Sequence, residues 1–375
     1  MFTNINPEVL VWARREGGYR SPGDIARKLN ISVDLLKKWE SDGENVDFGI
    51  LELIAKTYKR QTSVFFLPKV PEGVKKPKDH RNLKVDSSNF SPETFLAFRR
   101  TVRYLKKARE LNGNEHWTKR YSWLKQFTGK TSLIDREAKL LRNLLNAPLE
   151  VQMRQKDPET AFRFWRDKIE EELNIFVFQF SIPNDEMDGF SYTLDGFPYA
   201  IVIDNSNSKQ AVRKIFTLFH ELSHIFKHES EICVTDFSRG SDMQNELACN
   251  DFAGKFLIPV EAVRKYDLPE EIYKAALRLN ISSEAYLRRM HQVYSLNEDI
   301  YYSLLNKMKR KAIEVLKMKK EISKGKKILL SGIVRSKSSR GKKFYGLVTD
   351  AAQSGRITYS TASDLLSLKI GSIGA

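Results

Sequence analysis

Three residues in five, His220, Glu221 and His224, have the types and the spacing for metal-assisted hydrolysis. On a helix the two histidines stand one turn apart on one face, so both imidazoles can reach a single metal ion. Glu221 sits beside them, where a carboxylate can take the proton of a water held at that metal. Two nitrogen ligands and a carboxylate base are working parts of a zinc peptidase. Such a site needs a third protein ligand, because a catalytic zinc keeps its fourth position for water. Glu246 is the candidate: it follows His224 by 22 residues, enough for a turn and a returning helix. The plain alternative is a pair of core or surface histidines on an apolar helix, and the suitably placed third carboxylate weighs against it. Cys249 lies three residues beyond Glu246 and can share part of its face, either as a sulfur ligand or as a small buried residue.

The elements that must position these groups read as two helices. Ser208 stands as an N-cap, and Ala211, Ile215, Leu218, Phe219, Leu222 and Phe226 then recur at intervals of three and four. A second helix is expected from Ser241, as its cap, to Pro259, which closes it. Upstream, residues 158–173 form an amphipathic pattern with Phe162, Trp165 and Ile169 on one side. The period then changes, and residues 175–180 and 199–203 read as strands, short and rich in β-branched and aromatic residues. An unpaired strand edge beside a cleft holds an extended peptide by main-chain hydrogen bonds, a role expected here for Tyr199–Ile203. Tyr192 and His228 are candidates for stabilising an oxyanion.

The block Ile215-Phe-Thr-Leu-Phe-His-Glu-Leu-Ser-His224, with Glu246-x-x-Cys249-Asn-x-Phe-Ala253 and Leu257-Ile-Pro259, resembles the ImmA/IrrE family of metallopeptidases. The resemblance reaches back to Gly189-Phe-Ser191 and to Pro198-Tyr-Ala-Ile-Val-Ile203. It implies His220, His224 and Glu246 as zinc ligands and Glu221 as the catalytic base. The family often has Ala where this chain has Cys249. It also implies protein substrates of the repressor or antitoxin type, which no residue pattern here indicates independently.

Residues 7 to about 68 read as a compact helical module. Pro7–Arg15 is one helix, Ser21 and Pro22 open a second that runs to Leu29, and Ser32 caps a third, 33–40. A fourth, 48–58, completes the core. Two helices joined by a turn of three to four residues form a helix-turn-helix unit, whose second helix can enter the DNA major groove. The block Asp24-Ile-Ala-x-x-Leu29 to Leu36-x-x-Trp39-Glu40-Ser41 resembles the XRE (Cro/cI-type) family. Thr62-Ser-Val-Phe-Phe-Leu-Pro68 resembles the exit that joins such a module to ImmA/IrrE peptidases. Ser32, Val33 and Lys37 would then face base edges, and Ser21, Arg27 and Lys38 would meet phosphates. Against this stands the charge of residues 1–70, eleven basic against nine acidic residues, since DNA affinity rests largely on neutralised phosphates. A packing or dimerisation module is the alternative.

The 375-residue chain carries a net charge of +16, which favours nucleic acid or another acidic surface as a partner. Much of the excess lies between Lys307 and Lys343, where fifteen basic residues face two acids, Glu314 and Glu321. No apolar run approaches the length of a membrane helix and no signal peptide is legible at the N-terminus, so no membrane is expected. The two cysteines, Cys233 and Cys249, make no disulfide framework, which points to the cytoplasm. His116 falls in a loop and His291 has no ligand partner at suitable spacing.

The expected fold is α+β and mostly α. It has a five-helix-type helix-turn-helix bundle over 1–70 and a helical connecting region over 71–150, with a basic linker at their junction, Val70–Lys78. A small gluzincin-like zinc peptidase domain with a short β-sheet follows over 151–295, and a basic helical C-terminal region over 296–375. The expected function is a zinc-dependent endopeptidase tied to a DNA-binding module and acting on a repressor or antitoxin-type regulator, with DNA as a partner and a homodimer on paired half-sites. The alternative is a helix-turn-helix regulator or antitoxin whose peptidase-like domain senses or binds without cleaving. A weaker third reading is a nucleic-acid protein driven by the basic tract.

Overall fold

Polar caps written in the sequence start most helices of the N-terminal part. Residues 1–71, 90–113, 117–183, 186–194, 196–206, 210–230, 239–322 and 331–373 are described, from a computed structural model. The chain divides into two units, Met1–Arg103 with Ser181–Met187, and Tyr104–Phe180 with Asp188–Ala375. The expected region 296–375 and residues 104–150 fall in the second unit with all of 151–295 except 181–187.

In the first unit, strand β1 (Phe2–Thr3) leads to helix α1 (Pro7–Glu16), where the Asn6 side chain accepts from the amides of Glu8 and Val9. Helix α2 (Pro22–Leu29) begins where the Asp24 carboxylate accepts from the Ser21 amide, and it stops at Asn30, whose φ of 55° is left-handed. The Ser32 hydroxyl caps α3 (Val33–Ser41) by accepting from the Asp34 amide. Strand β2 (Val46–Asp47) pairs antiparallel with β1, and Asp47 caps α4 (Phe48–Tyr58). A 3-10 turn, Thr62–Phe66, ends the run, so residues 1–71 hold four α-helices. The core is built from Val9, Leu10, Ala13, Ile25, Leu36, Trp39, Leu51, Ile54, Tyr58 and Phe65.

One buried ion pair sits in that core. Arg14 donates to both carboxylate oxygens of Glu40, at 2.6 and 3.0 Å, and its remaining fork reaches the carbonyls of Tyr19 and Arg20. Loss of one partner of such a pair leaves a buried charge uncompensated, at a cost of about 3–5 kcal/mol. The pair therefore ties α1, α3 and the turn before α2 into one geometry. Helix α5 (Pro92–Asn112) contributes Pro92–Arg103 to this unit, with both Arg99 Nη atoms donating to the Tyr58 carbonyl at 3.1 Å.

The second unit takes up the rest of α5, then α6 (Trp117–Arg120), α7 (Ile134–Leu144), α8 (Leu149–Met153) and α9 (Pro158–Glu172), the last capped by Asp157. Strands β3 (Phe176–Phe180), β4 (Gly189–Thr193) and β5 (Tyr199–Asp204) form a sheet in the order β3-β5-β4. β3 runs parallel to β5, with Phe178 opposite Val202, and β4 runs antiparallel to it, with Ser191 opposite Ile201. The expected open edge at Tyr199–Ile203 does not hold, because β5 is the central strand and its two ladders are taken. The edge beside the sheet's long helix is β4, which packs on α10 (Ala211–Ser230).

Helix α11 (Arg239–Leu257) starts two residues before the expected cap Ser241. There follow α12 (Pro269–Arg278), α13 (Ser283–Tyr294), α14 (Glu298–Ile322), α15 (Gly332–Gln353) and α16 (Tyr359–Leu366). Helices α12 and α13 pack together, with Ile272, Ala276, Tyr286, Leu287 and Met290 buried, so this pair serves the core. No helix among the described residues is long and apolar enough to cross a membrane.

Part of the basic tract is built into the fold. Arg166 of α9 donates to the carbonyls of Lys337 and Ser338, and Gln179 of β3 donates to the Ser338 carbonyl at 2.8 Å. The buried Glu170 carboxylate accepts from the amides of Val177 and Lys343. Arg340 is buried too and donates to the Leu365 carbonyl at 2.6 Å. Gly341 kinks α15 with φ 78°, and a Cβ there would overlap the Glu170 carboxylate. Gly341→Ala should therefore destabilise the full chain by about 2–4 kcal/mol in chemical denaturation. An unchanged midpoint would show that the Glu170 contact is dispensable.

Candidate metal centre

The motif helix owes its place to the apolar face read from the sequence. Ile215, Leu218, Phe219, Leu222, Ile225 and Phe226 of α10 are all buried. Two aromatic groups bracket the motif. Phe219 stacks on Phe256 of α11 at 4.1 Å and meets the edge of Trp165 of α9 at 5.1 Å. Two residues past the motif, Phe226 stacks on Phe127 at 4.1 Å and meets Phe252 of α11 edge-on at 5.3 Å. Each such pair contributes about 0.5–1.5 kcal/mol beyond its buried area. Together they lock α10 against α11 in rotation as well as in separation.

That locking brings three side chains to one point. His220 Nε2 lies 3.0 Å from His224 Nε2 and 3.2 Å from Glu246 Oε2, and His224 Nε2 lies 3.0 Å from Glu246 Oε1. His220, His224 and Glu246 are the group of potential metal ligands found among the described residues. Ligand atoms on a tetrahedral zinc, each about 2.0–2.1 Å from the ion, stand about 3.3 Å apart. Glu221, between the histidines, is buried.

The second nitrogen of each ring tests the fit further. His220 Nδ1 is 2.9 Å from Asn250 Oδ1. An amide oxygen only accepts, so Nδ1 carries the proton and a neutral His220 presents a bare Nε2 lone pair to the convergence point. That lone pair and two carboxylate oxygens face one another, an arrangement of acceptors that calls for a cation. One proton serves one of these contacts at a time, whereas an ion among them serves all. The donor set, two imidazoles and a carboxylate, suits zinc.

Charge in the site follows the same logic. Burial disfavours an imidazolium at His224, but its hydrogen bonds with Cys249 and Glu246 outweigh this and hold it up at about 10. Burial alone would raise the Glu246 carboxyl, yet the two histidines hold it well below the usual carboxylate range.

Tyr192 lies on β4, opposite Ala200. Ser208, His116, Cys233 and all but the first two residues of the linker Val70–Lys78 lie outside the described residues, as does the His228 side chain. Ser21, Arg27, Ser32, Val33, Lys37 and Lys38 are all exposed on or beside α2 and α3. Arg27 is paired with Asp24 at 3.2 Å and Lys37 lies 4.0 Å from Asp34, surface contacts worth about 0–1 kcal/mol. Sequence reasoning missed Asn250, although its spacing of four from Glu246 was the available signal.

Residues 158–291 match a peptidase family model described as the IrrE N-terminal-like domain. The match begins at the first residue of α9, takes in the sheet and both site helices, and ends in α13. It agrees with the resemblance read from the motif. No curated protein and no solved structure matches the chain.

Since His224 holds a proton well above neutral pH, a metal must displace it. The apparent zinc affinity of the full chain, read by chelator competition, should rise about tenfold per pH unit between about pH 6 and about pH 8. An affinity flat across that interval would contradict the proton competition.

Proposed function

We propose that the chain is a zinc-dependent endopeptidase with a helix-turn-helix module, acting on a repressor or antitoxin-type regulator. The observation that carries the reading is the convergence of His220, His224 and Glu246 at 3.0–3.2 Å with Glu221 beside them. The match of residues 158–291 to a peptidase family model supports it. In this reading residues 1–70 form the XRE-type module, 71–150 the connector, 151–295 the peptidase and 296–375 the C-terminal region.

His220, His224 and Glu246 would hold the ion, with Asn250 fixing the His220 ring. Zinc, when bound, lowers the pKa of water and polarises the scissile carbonyl. Glu221 takes the proton of the attacking water and later passes it to the leaving amine. The substrate lies extended along β4, whose second ladder has no strand partner among the described residues. Burial of His220 and Glu246, midway along α10 and α11, keeps their polar atoms from competing hydration, which strengthens each electrostatic contact.

The test is metal content combined with trapping. The purified protein should hold about one zinc per chain, and His224→Ala should lose most of it. Glu221→Gln should keep the metal, abolish cleavage and retain the regulator in a stable complex. Zinc retained in full by a His220→Ala/His224→Ala double variant would sink the site. Zinc bound normally, with no repressor or antitoxin encoded nearby cleaved, would favour a sensor that binds without cutting.

The helix-turn-helix module would bring the enzyme to regulators on DNA, raising the local concentration of scissile peptide. Its exposed Ser32, Val33 and Lys37 would read base edges, and Ser21, Arg27 and Lys38 would contact phosphate. A full-chain Lys37→Ala/Lys38→Ala variant should lose preference for one operator over random duplex, measured at physiological salt, with metal content unchanged. An equal preference in wild type for operator and random DNA would reduce the module to protein contacts.

A further inference from the structure

Helix α11 does more at this site than deliver Glu246. Cys249 and Asn250 follow it at three and four residues, so all three side chains stand on one helical face. Asn250 takes the far nitrogen of His220. Cys249 stands in the same relation to His224: its sulfur is 3.6 Å from His224 Nδ1 and is fully buried. The sulfur is not among the atoms that converge at the ligand point. It lies against the nitrogen of the ring that faces away from Glu246.

We propose that Cys249 is a positioning residue for His224, its sulfur accepting the Nδ1 proton so that Nε2 is presented bare to the metal. The inference rests on the zinc reading above. A neutral imidazole carries one proton, and a ring that ligates through Nε2 must keep that proton on Nδ1. The Nδ1–H then needs an acceptor in a buried place, and the Cys249 sulfur is placed to be that acceptor. The thiol hydrogen is left to turn away from the ring. Sulfur is a weak acceptor beside an amide oxygen, so the two histidines are held unequally, His220 firmly and His224 less so. Position 249 therefore sets how tightly the second imidazole is held, without touching the ion.

The experiment compares full-length wild type, Cys249→Ala and Cys249→Ser. Zinc affinity is read by chelator competition, the melting temperature of the metal-free forms is read alongside, and the cobalt-substituted proteins are examined by absorption spectroscopy. Cys249→Ala should lower zinc affinity about tenfold, the lower end of the effect of removing a group that orients a metal-bound histidine. Cys249→Ser, which keeps a polar atom at the position, should recover part of the loss. The metal-free melting temperatures of the two variants should agree, which a purely packing role combined with lost affinity would not give. The wild-type cobalt form should show no intense sulfur-to-metal charge-transfer band.

Zinc bound by Cys249→Ala as tightly as by wild type would overturn the inference and leave the zinc site standing. A charge-transfer band in wild type that vanishes in Cys249→Ala would also overturn it, by making the sulfur a ligand. A wild-type chain that binds no stoichiometric zinc would bring down the zinc reading and this inference with it.

Discussion

Acceptors held close together in a buried place repel one another, and this constraint governs the site. A bare imidazole nitrogen, a second imidazole and both oxygens of a carboxylate meet at 3.0–3.2 Å, with His220 fully buried. Without a cation, the arrangement stands only when a proton on His224 and the surrounding packing hold it. The rest of the unit supplies that packing. Phe219 and Phe226 grip α10 on either side of the motif, and their partners Phe252 and Phe256 sit on the helix that carries Glu246. The ligand spacing is thus a property of two helices packed through aromatic contacts, and of no loop.

The same unit shows why a long basic segment need not be a free polyelectrolyte. Residues 336–343 run across α9 and β3, where Arg166 and Gln179 donate to carbonyls of the segment and Glu170 accepts from its Lys343 amide and from the Val177 amide of β3. A buried arginine and a buried glutamate are costly unless their hydrogen bonds are filled. Here backbone groups of the C-terminal segment supply two acceptors to Arg166 and one donor to Glu170. The Trp165 ring that meets Phe219 lies next in sequence to Arg166, so this anchoring supports the helix that backs the motif.

Much of this was legible in the sequence, and for identifiable reasons. Ser32 caps its helix through a local hydrogen bond, as do Asn6 and Asp157 at the helices read from Pro7 and from residue 158, so these three start where the sequence places them. The closeness of His220 and His224 was legible because a helix sets residues four apart on one face, whereas the approach of Glu246 depends on how α11 packs against α10. The edge assignment was not legible. Strand β4 hides in a polar stretch, Gly189 to Thr193, where Phe190 and Tyr192 alternate too briefly to read as a strand. The uninterrupted apolar run of β5 was the sign of a strand buried on both faces and paired on both sides. The folding-back of residues 336–343 depends on carbonyls and on Gly341, and backbone acceptors carry no residue code.

The most direct measurement is X-ray absorption at the zinc edge of the purified full-length protein. The account predicts a first shell of light atoms at about 2.0–2.1 Å, with the outer-shell scattering of two imidazoles and no sulfur. A sulfur shell at about 2.3 Å, or a single imidazole, would contradict it.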